Sequence, residues 1–108
     1  MKPIKLDAEA EDELSAAYAW YEAQVRGLGD ELLMIVDDQF ARIQSAPRRF
    51  GLTPEVPANL NVRRTLIRRF PFSVFFVELE KEIRVLAVAH QSRRPGYWRK
   101  RVRRHARH

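Results

Sequence analysis

The chain has 108 residues, 45% hydrophobic and 31% charged, a composition typical of one folded domain rather than a disordered segment. It has no cysteine, which excludes disulfides and cysteine-ligated metal sites, and no run of about 18 apolar residues that would span a membrane. The net charge of +6 is uneven: residues 1–62 carry 6 Lys/Arg and 11 Asp/Glu (−5), and residues 63–108 carry 14 Lys/Arg and 3 Asp/Glu (+11), which favours a nucleic acid or an acidic protein as partner.

The first half of the chain predicts a short strand and two helices. Residues 2–6 alternate weakly, as in a strand, and Asp7 then offers an N-cap. Apolar residues recur at helical spacing over 14–25, and the glycine pair of 27–29 ends that first helix. A second helix runs from about Asp30 until Pro47 stops it. So short a link predicts an antiparallel helical hairpin.

The second half predicts a loop, three strands and a short terminal helix. The proline-rich segment 48–61 is typical of a loop, and strands follow at Val62–Arg68, Phe72–Leu79 and Ile83–Ala89. Short connections predict an antiparallel meander, and we expect the N-terminal strand to join its edge. Residues 94–104 are expected to form the terminal helix.

We therefore expect a single α+β domain over residues 1–108, in the order β-α-α-β-β-β. The helical hairpin would pack on one face of a small, mainly antiparallel sheet, and the other face and the rim would carry the arginines. A basic tail occupies about residues 99–108. The N-terminal residues lack the apolar core of a signal peptide, so we expect a cytoplasmic protein.

The segment Ala87–Trp98 carries the most information about function. An apolar strand leads into His90, then Arg93 and Arg94, a Pro-Gly break and the pair Tyr97-Trp98. His90 is either a capping residue bonded to nearby backbone or an acid–base group near neutral pH. The two arginines sit where a rigid loop would hold them against a partner. Tyr97 and Trp98 either contact that partner or fold back over the core.

Other polar and aromatic residues receive simpler interpretations. Trp20 and Tyr21 are expected to pack within the hairpin, and the arginines at 63, 64, 68 and 69 alternate across two faces, so that half of them share a surface. We expect three helix glutamates to be solvated: Glu11, Glu13 and Glu22. The histidines at 105 and 108 lack a partnering carboxylate spacing, so we expect no metal site.

Taken together, these residues resemble the RelE/ParE superfamily of bacterial type II toxins. The resemblance runs through Trp20-Tyr21-Glu22, Gly27-Leu28-Gly29, Ile43 to Pro47, Arg63-Arg64, Phe70-Pro71-Phe72, Val85 to His90 and Arg93 to Trp98. It covers nearly the whole chain and implies the same β-α-α-β-β-β fold. It also implies a bacterial toxin–antitoxin or plasmid-stabilisation module and an antitoxin partner.

The resemblance leaves two targets. RelE-like members cut mRNA on the ribosome, and such a site must hold the scissile phosphate with cations and move protons. Tyr97 matches their late tyrosine, but Ser73 and Gln91 fall near positions where that family places cations. ParE-like members inhibit DNA gyrase and need no nuclease site. This chain therefore resembles the ParE-like side more closely.

The resemblance implies a toxin that inhibits DNA gyrase without catalysis or a cofactor. Toxin–antitoxin heterodimers or heterotetramers and no membrane partner are expected. Residues expected to contact the target or antitoxin are Arg63, Arg64, Arg68, Arg93, Arg94, Tyr97 and Trp98. The alternative, an mRNA endonuclease, would use His90, Arg93, Arg94, Tyr97 and Arg64. A further alternative is a non-toxic nucleic-acid-binding module.

Overall fold

The computed structural model describes residues 1–105, so the last three residues of the expected basic tail, 106–108, lie outside it. The elements are β1 (Ile4–Leu6), α1 (Ala8–Gln24), α2 (Leu28–Ser45), β2 (Val62–Ile67), β3 (Phe72–Glu78), β4 (Ile83–His90) and α3 (Arg99–Val102), with 3₁₀ turns at Pro47–Arg49 and Ala58–Leu60. The predicted α+β class and element order are confirmed. The terminal helix is shorter than predicted, because Gly96 adopts a left-handed φ of 75° in a turn before it.

The four strands form one mixed sheet in the order β1-β4-β3-β2. Strands β2, β3 and β4 make the predicted antiparallel meander, and β1 joins the edge of β4 in parallel, with Ile4 opposite Ile83. Within residues 1–105, no helix has the length and apolarity needed to cross a membrane.

The two long helices cover one face of the sheet, with α2 supplying most of the buried apolar surface. The buried residues on this side include Leu32, Ile35, Val36, Phe40 and Ile43 of α2 and Phe72, Val74, Phe76, Val85 and Val88 of the sheet. In helix α1 the buried residues are Ala10 and Ala17. The predicted stripe is wrong at its end, because Val25 is 59% exposed. Trp20 does not pack inside the hairpin either, since it is 60% exposed.

The junction between α1 and α2 depends on a glycine and a glutamate. Gly29 is buried beneath α1, where a Cβ atom would lie 2.7 Å from the carbonyl oxygen of Tyr18. The Glu22 carboxylate accepts the N–H groups of Gly27 and Gly29 at 2.8 and 2.9 Å. Glu22 therefore binds unpaired N–H groups at the start of α2 instead of being a solvated charge.

The second face of the sheet is also covered, contrary to the expectation of an open arginine-rich surface. Trp98 is 1% exposed and its ring lies 4.4 Å from that of Phe75, between centroids. Val56 from the proline-rich loop and Val102 from α3 complete this second cluster. The C-terminal segment is thus part of the core, and what stays open is a cleft beside it.

Candidate functional site

An open cleft of about 340 Å³ lies on the face of the sheet opposite the helical hairpin. It is lined by Glu55, Arg64, Leu66, Ser73, Phe75, Ala89, His90, Gln91, Arg93, Arg94, Pro95, Gly96, Tyr97 and Trp98. The five residues considered for a nuclease site, at 64, 90, 93, 94 and 97, are therefore together. The floor is the apolar surface of the sheet, and the rim is cationic.

The strand arginines divide between the two faces, as alternation predicts. Arg64 lines the cleft, whereas Arg63 points to the helical side and donates to the carbonyl oxygen of Phe50 at 2.6 Å. Arg68 is exposed in the turn after β2. The half-buried guanidinium of Arg63 thus binds the chain's own backbone away from the cleft, and its expected contact with a partner stays a prediction.

Trp98 supports the cleft from beneath and does not present a contact surface. Its 1% exposure leaves almost nothing for a partner to touch, so its expected role as a contact residue is corrected. The sequence left burial and contact open for this residue. Stacking on Phe75 of the central strand favours burial, since a tryptophan there covers apolar surface that would otherwise face water.

Tyr97 forms one wall of the cleft and is held on three sides. The Arg93 guanidinium lies 3.9 Å from its ring centroid and that of Arg101 lies 5.2 Å away. Its hydroxyl donates to Glu13 Oε2 at 2.7 Å. Burial first, and then this hydrogen bond to a carboxylate, raise the pKa of Tyr97 above its usual value of 10.0. The phenol therefore keeps its proton at neutral pH and uses it in the hydrogen bond to Glu13.

Glu13 is the residue that the sequence interpretation missed. Its carboxylate is 15% exposed and also accepts the Val88 N–H of β4 at 2.9 Å and the Arg101 guanidinium at 3.0 Å. Arg101 in turn donates to the carbonyl oxygen of Leu86 at 2.9 Å. Glu13 and Arg101 thus provide hydrogen-bond partners for the β4 backbone at Val88 and Leu86, beyond the end of β1. The expectation of a solvated Glu13 is wrong, because its partners lie 75 to 88 positions away in sequence, where no local pattern shows them.

His90 at the end of β4 is engaged locally. Its Nδ1 accepts the Ser92 N–H at 3.0 Å and lies 2.7 Å from Ser92 Oγ, while the ring packs edge-on against Phe72 at 5.1 Å. No carboxylate within residues 1–105 bonds to the ring. This matches the capping interpretation of His90. If His90 acted as an acid or base, only its Nε2 atom would be available, because Nδ1 is bonded to Ser92.

The remaining polar groups of the cleft supply no positive charge that could bind a phosphate. Ser73 is buried and uncharged, and Gln91 is exposed and uncharged. Glu55 is held by the backbone, since its Oε1 accepts the Gly96 N–H at 2.9 Å. The cationic character of the rim comes from Arg64, Arg93 and Arg94 together.

Carboxylates near the start of α1 anchor the C-terminal segment. His105 Nε2 lies 2.9 Å from Asp7 Oδ1, and Arg104 forms an ion pair with Glu9. This pairing with Arg104 lowers the pKa of Glu9 to about 2. The predicted side-chain cap by Asp7 is absent among the described contacts, since its buried carboxylate faces His105 instead. Charges spread over the two halves of the sequence thus meet in the fold.

Comparison with known proteins shows which known fold this architecture resembles. No protein-family model and no curated protein matches the chain. Among solved structures, the chain is similar to one of the "Chromosomal ParDE TA system from P. aeruginosa", with 26% identity and a TM-score of 0.72 over 83% of this chain and 96% of that one. The likeness agrees with the β-α-α-β-β-β order of elements. The chain therefore has a ParE-like α+β fold.

Proposed function

We propose that this protein is the toxin of a type II toxin–antitoxin module, that it inhibits DNA gyrase by binding, and that a cognate antitoxin neutralises it. The observation that carries the proposal is the structural likeness to a chain of the ParDE system over 83% of this protein. A bacterial, cytoplasmic setting and toxin–antitoxin heterodimers or heterotetramers belong to the same proposal.

Binding rather than catalysis is supported by the state of the cleft. A ribonuclease site needs groups that move protons and cations that hold the scissile phosphate. Here the Tyr97 hydroxyl already donates a hydrogen bond to Glu13, and Nδ1 of His90 already accepts one from the Ser92 N–H. The uncharged Ser73 and Gln91 add no cation. These features suit a rigid contact surface better than an acid–base site.

The charge of the cleft supports an acidic partner. Arg64, Arg93 and Arg94 are exposed on one rim, and the C-terminal half of the chain carries the net +11. Such a surface speeds association with an acidic chain and is screened by salt. An antitoxin segment rich in carboxylates would therefore mask the same rim that meets the target.

The test is a supercoiling assay with purified gyrase. We expect the wild-type protein to inhibit supercoiling and to leave mRNA intact on translating ribosomes. The double variant Arg93→Glu/Arg94→Glu should raise the inhibitory concentration by at least about tenfold, because it reverses the rim charge. Arg26→Glu is the matched control, since it reverses an exposed cation at the helix junction. Unimpaired supercoiling at saturating protein would overturn the proposal.

An mRNA endonuclease is the second candidate, and one observation favours it. The five residues at 64, 90, 93, 94 and 97 line a single cleft. If the cleft cuts RNA, ribosome-bound mRNA should be cleaved by the wild type and spared by His90→Ala. If neither supercoiling nor mRNA is affected and expression is harmless, the non-toxic nucleic-acid-binding module becomes the better hypothesis. Retardation of DNA or RNA in a gel would then identify it.

A further inference from the structure

Ser92 differs from the other serines of the chain because its hydroxyl lies against a histidine ring. Ser92 Oγ is 2.7 Å from Nδ1 of His90, which is the separation of a nucleophile from its base. The other serines are at positions 15, 45 and 73, and within residues 1–105 none of them is hydrogen-bonded to a histidine. Ser92 is also exposed, so a reagent can reach it.

The backbone determines which ring nitrogen of His90 faces the hydroxyl. The Ser92 N–H donates to Nδ1 at 3.0 Å, and an N–H can donate only to an unprotonated nitrogen. The proton of the neutral ring is therefore on Nε2, and Nδ1 has the lone pair that accepts the hydroxyl proton. Edge-on packing against Phe72, at 5.1 Å between ring centroids, holds the ring in this orientation. Nδ1 is thus closed to other substrates but is correctly placed for Ser92.

The loop that carries Ser92 is fixed by backbone hydrogen bonds. The Arg93 N–H donates to the carbonyl oxygen of His90 at 3.0 Å, which closes a turn around Ser92. The Gln91 N–H donates to the carbonyl oxygen of Pro71 at 2.8 Å, which ties the loop to the residue before β3. A nucleophile and base held in this way lose little freedom when they react.

Two guanidinium groups follow this hydroxyl directly in the sequence. Arg93 and Arg94 are exposed, and within the described part of the chain no carboxylate forms an ion pair with either of them. The Arg93 guanidinium lies instead on the Tyr97 ring, 3.9 Å from its centroid. Guanidinium groups bind phosphate oxygens through paired, charge-assisted hydrogen bonds. A phosphoryl group on Ser92 would therefore have its counter-charges on the next two residues.

We propose that Ser92 is a phosphoryl-acceptor site, with His90 as its base and the guanidiniums of Arg93 and Arg94 as its anion-binding groups. The donor is a nucleoside triphosphate held by a separate kinase. Ser92 Oγ forms a bond to the γ-phosphorus, the bond from that phosphorus to the bridging oxygen breaks, and a nucleoside diphosphate leaves. The hydroxyl proton passes to His90 Nδ1 and from there to water.

The modification would change the charge of the cleft rim, and its effect on a target is the one part that rests on the proposed function. A phosphoserine carries a charge of about −1.5 to −2 at neutral pH. With Arg64, Arg93 and Arg94 on the rim, the net charge would fall from +3 to about +1. A rim of lower charge attracts an acidic partner less strongly. Phosphorylation of Ser92 would therefore weaken binding to the target.

A fluorophosphonate reagent tests the nucleophile without a kinase, since Ser92 Oγ attacks its phosphorus and fluoride leaves. We expect one adduct by intact-protein mass spectrometry, and peptide mapping should place it on Ser92. His90→Phe keeps a ring beside Phe72 but removes the base. Labelling should then slow at least about tenfold, because a positioned base contributes about 10²–10⁴-fold. Ser45 is the control within the same chain: it is exposed, has no histidine partner and should stay unlabelled.

Two results of this labelling would overturn the proposal. One is labelling of Ser45 at the rate of Ser92, and the other is an unchanged rate in His90→Phe. Should His90→Phe fail to fold, the comparison of Ser92 with Ser45 in the wild-type protein decides by itself. Incubation with ATP and Mg²⁺ alone should leave the mass unchanged, and a phosphoserine formed in that way would overturn the need for a separate kinase.

Phosphoserine introduced at position 92 during synthesis of the chain tests the anion-binding groups and the effect on the target. Its ³¹P resonance should shift in Arg93→Gln/Arg94→Gln, and an unshifted resonance would overturn the role of the two guanidiniums. The phosphorylated protein should inhibit gyrase supercoiling only at a concentration at least about tenfold higher. Equal inhibition by both forms would overturn the effect on the rim. If neither form inhibits gyrase, the proposed function fails, while labelling and ³¹P shifts still decide the Ser92 site.

Discussion

The carboxylate of Glu13 accepts a hydrogen bond from the Tyr97 hydroxyl at 2.7 Å, although 84 positions separate the two residues. This hydrogen bond connects the first helix to the wall of the cleft. Glu13 also binds Arg101 and the Val88 N–H, so one carboxylate joins α1, β4 and the C-terminal segment. The shape of the cleft therefore depends on a residue that does not line it.

Removing the charge of Glu13 should destabilise the fold. Glu13→Gln leaves the mostly buried Arg101 without its ionic partner, which costs about 3 kcal/mol in comparable buried pairs. The free energy of unfolding from urea titration measures the effect. Glu11→Gln, at an exposed position of the same helix, should change it by less than about 0.5 kcal/mol. Equal small losses in both variants would contradict the role assigned to Glu13.

The two tryptophans should differ sharply in their contribution to stability. Trp98→Ala empties a buried site over Phe75 and should cost about 3–5 kcal/mol. Trp20→Ala removes a side chain that is 60% exposed, so we expect a loss of less than about 1 kcal/mol. Thermal or urea unfolding of both variants checks this. A larger loss for Trp20 would mean that the second face of the sheet contributes little.

Alkaline pH should weaken the fold through Tyr97. Its pKa is raised in the folded state by burial and by the bond to Glu13, so the protonated phenol is favoured on folding. The stability gained is complete below pH about 10, the usual pKa of tyrosine, and is lost as pH rises towards the folded value. Unfolding measured from pH 8 upward should show the decline. Tyr97→Phe should flatten it, and an unchanged slope would contradict the argument.

Acid should weaken the anchoring of the C-terminal segment at Glu9. The pKa of this carboxyl falls from 4.5 to about 2 through its bond with Arg104. A lowered pKa gives stability that is present above the unfolded value and lost as pH falls from about 4.5 towards 2. Exchange of the α3 amides should therefore rise over that range. Because Glu9 is 39% exposed, salt should reduce the effect, and Glu9→Gln should remove it.

The elements of the fold were predictable because their signals are local. Strands at 72–78 and 83–90 are nearly continuous apolar runs, and the α2 stripe recurs at helical spacing. Proline and glycine mark their ends. The stripe of α1 was misjudged at Val25, since periodicity cannot tell how far a neighbouring helix or sheet extends. What covers the second face depended on a segment with no periodic pattern at all.

The cleft was predictable in part, for a topological reason. His90, Arg93 and Arg94 follow the end of β4, and Arg64 lies on β2, so a small antiparallel sheet brings them to one surface. The burial of Trp98 and the pairing of Glu13 depend on contacts between distant parts of the chain. A carboxylate in the middle of a helix gives the same sequence pattern whether water or a distant arginine binds it.

The parallel pairing of β1 with β4 delays completion of the fold during synthesis. Ile4 lies opposite Ile83, Asp7 pairs with His105, and Glu13 pairs with Arg101. A growing chain on the ribosome therefore cannot close its sheet or shape its cleft until residues 101 and 105 have left the exit tunnel. Such high contact order slows folding. Any activity that needs the finished cleft would begin only after these late residues have emerged.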